Sequence, residues 1–530
     1  MIGNVVRFFA RPVVDDFALF ATTCLLLLFP SLYNVLSHGC IPFAVFFICF
    51  ANAYMLLLPT SFFVNWLKRV YKAVVLSLVL IYSCASYVCI CAYGSTLLSL
   101  GEDAISAILA TNVSEATEFF GTYVDANELW VFVVSMTIIL LLYFLIRRFQ
   151  ADFKDYFIQC CLLCALLVSS CFAVRDYKST PYDGINFVLS YKPVPDLREY
   201  KQNPAVTVNN SAPENIVMIL GESFSKSNSS LYGYEKKTNS RLAQLVADSS
   251  LSVFTDITSY TINTIPSIKS IIMGWREELA DSIEWYRGLT LLEVMQNAGY
   301  KTYWFSNQSK AGIYDNEVGR FADLCDGEYF VGEKFSGLHR NTLDEALLPA
   351  LDEQLPAASG RNFYIVQMMG SHSDFKRRYP ELFAKFTAED YSVTHSRLTM
   401  ENRQLLAEYD NSILYNDSIV YEIMERFAGS EAVVFYFSDH ALDVFQSSDD
   451  YIGHASLPNG VRDNNIFGRL IPFMVYTTPK FRERFPQTEE RIKRAVDVSY
   501  RTDSIMYTIM DVAGIETVNG ISYKQKSLFK

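Results

Sequence analysis

NIVMILGES at 215–223 and VVFYFSDH at 433–440 are the two stretches on which the fold turns. Each is an apolar, β-branched and aromatic run that stops abruptly at an acid or an imidazole. A buried parallel strand has this composition, and open α/β sheets carry their active sites at the carboxyl ends of such strands. Glu222 offers one hard oxygen ligand, and Asp439 with His440 offers an oxygen and a nitrogen. That mixture suits Zn²⁺ with room for a further ligand. A single acid after a strand is as readily a helix N-cap. Two such strand ends in one chain, one of them an adjacent Asp-His, point to a metal centre.

Everything before residue 175 reads as a membrane domain. Apolar runs lie near 17–36, 41–60, 73–94, 129–146 and 156–174, each about the ~20 residues that a helix needs to cross a bilayer. Arg7 and Arg11 precede the first run, Lys68, Arg69 and Lys72 separate the second from the third, and Arg147, Arg148 and Lys154 separate the fourth from the fifth. The connection from 95 to 128 has no Lys or Arg but carries Glu102, Asp103, Glu115, Glu118, Asp125 and Glu128. By the positive-inside rule the N-terminus is cytoplasmic and the 95–128 loop external, so five crossings leave all that follows outside. A cleaved signal peptide is not expected, because a second span follows the first run.

The 530 residues accommodate this five-helix domain at 1–174, a connector at 175–212 and one large globular domain at 213–530. Charged residues make up 19 %, too many for a wholly embedded chain, and a net charge of -12 argues against nucleic acid as a partner. Ten of the 11 cysteines fall before residue 172, so Cys325 is alone in the exported domain and no internal disulfide is expected there. The connector mixes Pro, Asn, Lys and Tyr without apolar periodicity and reads as an extended, partly solvated link. Beyond it, strand patterns at 215–220, 300–306, 362–369, 433–438 and 471–476 alternate with helix patterns at 291–298, 401–427 and 502–513. Alternation of this kind predicts an α/β domain with a largely parallel central sheet.

GESFSKSNSSLYGYEKKT at 221–238 resembles the opening signature of the bacterial phosphoethanolamine transferases, members of the alkaline-phosphatase/sulfatase superfamily. Further similarities follow in family order: TIPSI at 264–268, GSH at 370–372 with KRRYP just after it, YDNSILYND at 409–417 and FSDH at 437–440. With the five-span domain in front, the resemblance covers nearly the whole chain. It is closer to the branch that modifies lipopolysaccharide core sugars than to the disulfide-rich lipid A enzymes.

The resemblance implies roles for particular residues. Glu222, Asp439 and His440 match zinc ligands, and the fourth ligand, a threonine hydroxyl that is also the nucleophile, falls on Thr264. Thr264 directly precedes the segment IPSIKSII, where free N–H groups of a helix start favour an alkoxide and its phosphorylated form; Thr261 and Thr258 are close enough to leave the register open. His372 and His454 match positions beside the phosphoryl oxygens, and Lys310 is a candidate for holding the transferred group. In ISAILATNVSEATEFF at 105–120, Thr111 and Glu115 match a segment that holds the donor head group, where a carboxylate complements the ethanolamine ammonium. Two departures stand out. Ala107 replaces a family asparagine, and Ala441 with Leu442 replace the Gly-Glu that usually follows Ser-Asp-His. Ser223 is no serine-hydrolase nucleophile, since the G-x-S-x-G elbow is absent.

The expected activity is a zinc-dependent, ping-pong transfer of phosphoethanolamine from phosphatidylethanolamine to lipopolysaccharide through a phosphothreonine-type intermediate. A monomer in the bacterial inner membrane with a periplasmic catalytic domain would carry it. Two other readings remain: a lipoteichoic-acid-synthase-like transferase of glycerol phosphate, and a non-catalytic relative that binds lipid. Intact Glu222, Thr264, Asp439 and His440 weigh against the last.

Overall fold

The structure, a computed structural model, describes residues 2–38, 44–93, 126–149, 195–209, 212–274, 284–308, 310, 317–331, 342–355, 360–449, 452–453 and 466–530. These fall into two compact units, one made of the described residues up to 149 and one of those from 195 onward.

The first unit holds helices α1 (Ile2–Val14), α2 (Phe17–His38), α3 (Ala44–Leu57), α4 (Asn65–Tyr93) and α5 (Ala126–Phe149). Among the described residues two stretches are long and apolar enough to cross a bilayer, Asn65–Tyr87 and Leu129–Arg148; the pair Phe8–Val14 and Phe17–Pro30, bent by 73°, makes a third if it is one span. The run at 41–60 yields only a 14-residue helix, which gives way to a 3₁₀ turn at Leu58–Ser61 where Pro59 withholds a backbone donor. The fifth expected span, 156–174, lies outside the described residues. Lys68 and Lys72, expected in a loop, sit instead in the first turns of α4, which begins eight residues before its apolar run. There they pair with Asp15 and Asp16 at the α1–α2 bend, at 2.7 and 2.6 Å.

The second unit is built on a seven-stranded sheet of β1 (Asn215–Gly221), β2 (Leu251–Val253), β3 (Tyr300–Ser306), β4 (Gly327–Phe330), β5 (Arg361–Gln367), β6 (Ala432–Ser438) and β7 (Phe473–Thr477). Its order is β2-β7-β6-β1-β5-β3-β4. The four pairings from β6 across to β4 are parallel, whereas β7 is antiparallel to both β6 and β2, so the sheet is mixed. The described part of the β6–β7 link holds the 3₁₀ turn Ile466–Gly468 and no α-helix of the kind that usually joins parallel neighbours.

Both faces of the sheet are covered. Along β1, Ile216, Met218 and Leu220 face one core with α6 (Thr264–Met273), α7 (Leu291–Asn297) and α9 (Ile505–Val512). Val217 and Ile219 face the other core with α8 (Met400–Phe427). Burial on two sides removes the need for polar alternation, and each such side chain contributes about 1.5–3 kcal/mol. The core stripe of α8 also carries the polar residues of YDNSILYND, and each is engaged. Asp410 accepts from Asn228, Tyr234 and Tyr391; Asn411 holds the backbone at Lys385 and Phe386; Ser412 and Asn416 hold Ser371; Asp417 accepts the N–H groups of Arg241 and Leu242. This one helix therefore fixes several loops around the sheet.

The expected connector is folded from residue 195 on. Leu197 is buried, and Val206–Val208 pairs with Ile515–Val518. Its polar composition hid a strand that needs a distant partner. Cys325 is a free thiol.

Candidate metal centre

Strands β1 and β6 are adjacent and parallel, with Gly221 opposite Ser438, so the residues that follow them emerge side by side. The Asp439 N–H donates to Gly221 O at 3.0 Å. On the other flank of β1, Met368 N–H donates to Leu220 O and Ser371 N–H to Glu222 O. The turn after Glu222 is locally strained. Ser223 has φ 58°, an uncommon value for a residue with a side chain. Tyr409 of α8 holds it, donating to Ser223 O and accepting from Ser225 N–H, each at 2.8 Å. Gly370, also left-handed, passes so close that a Cβ would lie 2.7 Å from Glu222 O, which requires glycine there.

Glu222, Asp439 and His440 are buried, and their ligand atoms lie within 4.8 Å of one another. His440 Nε2 is 3.1 Å from Glu222 Oε1 and 3.6 Å from Asp439 Oδ2. Thr264 brings its Oγ1 to 3.1 Å from Glu222 Oε2 and 3.2 Å from His440 Nε2. His440 Nδ1 faces Ala441 O at 3.1 Å. Because a carbonyl only accepts, Nδ1 carries a proton and the Nε2 lone pair of a neutral ring points into the cluster, the orientation usual for a metal ligand.

Burial opposes every charge in this cluster. For Glu222 it is outweighed by the His440 charge and hydrogen bond, which hold the carboxyl well below the usual range. Asp439 is pushed up by burial and by the adjacent Glu222 charge. His440 is raised to about 9, against burial, by Asp439 and Glu222. Two buried carboxylates side by side therefore call for positive charge between them. Asp439 Oδ1 accepts the His440 N–H, but Oδ2 is buried and makes no hydrogen bond among the described residues. An orphaned carboxylate oxygen, a correctly turned imidazole and two buried carboxylates side by side fit a divalent cation.

Thr264 is the first residue of α6, inside the helix it was expected to precede. Asn263 occupies the cap, because the chain is still extended there (φ -127°, ψ 145°). The Thr264 hydroxyl consequently reaches Glu222 and His440 rather than closing its own helix. Thr258 lies in a two-residue strand paired with Tyr500–Arg501, and Thr261 accepts Ser259 Oγ through its backbone carbonyl. Among the described residues neither hydrogen-bonds to the cluster.

His372 follows β5 and is half-buried. Desolvation lowers its pKa to about 4; the Glu222 charge opposes this and Arg378 adds to it, so the ring is neutral at physiological pH. Arg378 donates to His372 O and Ser373 O, fixing the loop. Lys310 is held between Asp323 (2.8 Å) and Glu328 of β4 (2.6 Å), so its charge is already compensated. Thr111, Glu115, Ala107 and His454 lie outside the described residues. Ala441 and Leu442 are buried in the two opposite cores; the next acid, Asp443, accepts the N–H groups of Gln446 and Ser447.

Two contacts on Glu222 had no counterpart in the sequence reading. Ser223 Oγ donates to Oε1 at 2.7 Å, and Gln308 Nε2 donates to Oε2 at 3.1 Å. The strand end WFSNQ was visible, but nothing marks a glutamine there as facing a carboxylate on another strand.

The Sulfatase family profile matches residues 214–515. Phosphoethanolamine transferase EptC of Escherichia coli (strain K12) is 27 % identical over 325 residues, which are 61 % of this chain and 54 % of that protein. The chain thus matches about half the length of this curated relative. Among solved structures, the C-terminal periplasmic domain of Escherichia coli EptC in complex with Zn superposes with a TM-score of 0.55 at 26 % identity, covering 62 % of this chain and 90 % of that one. The integral membrane protein EptA of Neisseria meningitidis shares the fold over 98 % of both chains, with a TM-score of 0.69 at 18 % identity.

Proposed function

The chain belongs to the sulfatase family, and from that premise we propose that it transfers phosphoethanolamine from phosphatidylethanolamine to a lipopolysaccharide acceptor, a core sugar or lipid A. The observation that carries this reading is the convergence of Thr264 Oγ1 on Glu222 and His440 beside the Asp439 carboxylate. The similarity to EptC, whose periplasmic domain was solved with Zn, supports both the transferred group and the metal.

Glu222, Asp439, His440 and the Thr264 hydroxyl would hold Zn²⁺. Bound there, the ion would lower the pKa of the hydroxyl and offset charge on the phosphoryl oxygens. Thr264 Oγ1 attacks phosphorus; the O–P bond to threonine forms as the bond to the glyceryl oxygen breaks, and diacylglycerol leaves with the proton that Thr264 gave up. A phosphoethanolamine-threonine ester remains. An acceptor hydroxyl then forms its own bond to phosphorus, the bond to Thr264 breaks, and the hydroxyl proton returns to the threonine. Neutral His372 is suited to accept or donate a hydrogen bond at the phosphoryl group, with His454 as a second such residue. Thr111 and Glu115 would hold the donor head group; Lys310, already paired, would act there only after releasing an acid.

The test of substrate is mass spectrometry. Incubation with phosphatidylethanolamine should add the mass of phosphoethanolamine to the Thr264 peptide, and cells with the protein should carry lipopolysaccharide heavier by the same group. A glycerol phosphate adduct would replace this reading with the lipoteichoic-acid-type one.

The placement proposed is the bacterial inner membrane, with the second unit in the periplasm and the chain acting as a monomer. A reporter fused after Arg148 should behave as cytoplasmic and one fused at Asn210 as periplasmic. Reversed signals would put the cluster on the wrong side of the membrane for its acceptor.

A further inference from the structure

We propose that Gln308 is a positioning residue for Glu222, with its amide oriented by a chain of buried side chains that begins at the Trp304 indole; the proposal rests on the metal reading above. Trp304 and Ser306 lie on β3 and Gln367 on the adjacent β5, with Ser306 opposite Gln367. All three are buried, while Gln308, two residues past the strand, is half-buried at the cluster.

The direction of each amide follows from the one before it. An indole N–H can only donate. Trp304 Nε1 lies 3.3 Å from Gln367 Oε1, and Ser306 Oγ donates to the same oxygen at 3.1 Å. The NH₂ of Gln367 must therefore face away, and it donates to Gln308 Oε1 at 2.9 Å. That turns the NH₂ of Gln308 outward, where it donates to Glu222 Oε2 at 3.1 Å and to Met368 O at 3.1 Å. Flipping either glutamine alone would set oxygen against oxygen at one end and N–H against N–H at the other. Because Trp304 cannot accept, the order does not reverse.

Glu222 is consequently gripped through both oxygens, by Ser223 Oγ at Oε1 and by Gln308 at Oε2. Two donors fix the rotation of the carboxylate about its last bond, so little reorientation is lost when a cation binds. Partners of this kind on a ligand typically change metal affinity by about 10–100-fold when removed. Gln308 itself is not placed to attack or to exchange a proton. It acts through Glu222.

The experiment uses the full-length protein in detergent, with zinc affinity read by competition against a chromophoric chelator and ligand geometry by the visible spectrum of the Co²⁺-loaded form. Gln308→Met, which keeps length but removes the donor, should weaken zinc binding by about 10–100-fold and shift the cobalt bands, with the melting temperature of the metal-free protein nearly unchanged. Trp304→Phe, which leaves Gln308 in place and removes only the orienting donor, should weaken binding in the same direction by a smaller factor. Native affinity and an unchanged cobalt spectrum in Gln308→Met would overturn the proposal. Should that variant not fold, native affinity in Trp304→Phe would overturn it. Glu222→Ala separates the two levels. Loss of zinc there alongside a native Gln308→Met rejects only the positioning role, whereas native zinc binding in Glu222→Ala rejects the metal reading itself.

Discussion

Asp439→Ala is expected to abolish transfer and to strip the protein of zinc, while the chain still inserts and folds. Asp439 is buried, supplies one of three clustered ligands and has an oxygen that no hydrogen-bond donor among the described residues satisfies. Removing it leaves Glu222, His440 and the Thr264 hydroxyl, a set with one carboxylate in place of two to hold a divalent ion. Metal polarisation is worth several kcal/mol at a phosphoryl transition state, so the loss should be on the order of 10³-fold or more in rate. Folding responds differently. Asp439 is desolvated beside a second carboxylate, so its removal relieves repulsion, and the metal-free variant should melt at or above the temperature of the metal-free native protein. Zinc content by elemental analysis, read beside the two melting curves, checks this. Full occupancy and activity in the variant would remove Asp439 from the site.

Thr264→Ala is expected to eliminate the covalent intermediate altogether, whereas Thr264→Ser should still form it. The hydroxyl is half-buried, points at two proposed ligands and stands at the first residue of a helix, where the dipole and free N–H groups favour negative charge. Thr261→Ala and Thr258→Ala should leave the intermediate intact. Thr258 belongs to a strand pairing, and Thr261 works through its carbonyl. Peptide mapping after incubation with phosphatidylethanolamine distinguishes the three. An adduct on Thr261 would move the nucleophile back by one helical turn.

Much of this protein was legible because composition and local pattern carry it. The runs around 215–220, 300–306, 362–369 and 433–438 are apolar without alternation since both sides are covered, and they appear as β1, β3, β5 and β6. The acids and the imidazole that end two of them were visible as ligands of the right chemistry. Local pattern could not show strand order or direction: the strand near 471–476 looks like its neighbours, yet it returns antiparallel to β6 and β2. It also could not show that Lys68 and Lys72 meet Asp15 and Asp16, or that Val206–Val208 finds Ile515–Val518.

The sequence by itself determined that the second unit is an α/β domain and pointed to Glu222, Asp439 and His440 as candidate ligands, because burial pattern and ligand chemistry are properties of residues in order. Thr264 came from the family resemblance, with Thr261 and Thr258 left open. The tertiary structure alone decided that Gly221 lies opposite Ser438, which puts two strand ends some 215 residues apart into one cluster. It alone engaged Lys310 with Asp323 and Glu328, sent Ala441 and Leu442 into separate cores, and turned Gln308 toward Glu222. Each of these depends on which strand lies beside which and on the direction a side chain faces. Those are long-range pairings, settled only when the whole sheet closes its hydrogen bonds and buries both faces at once.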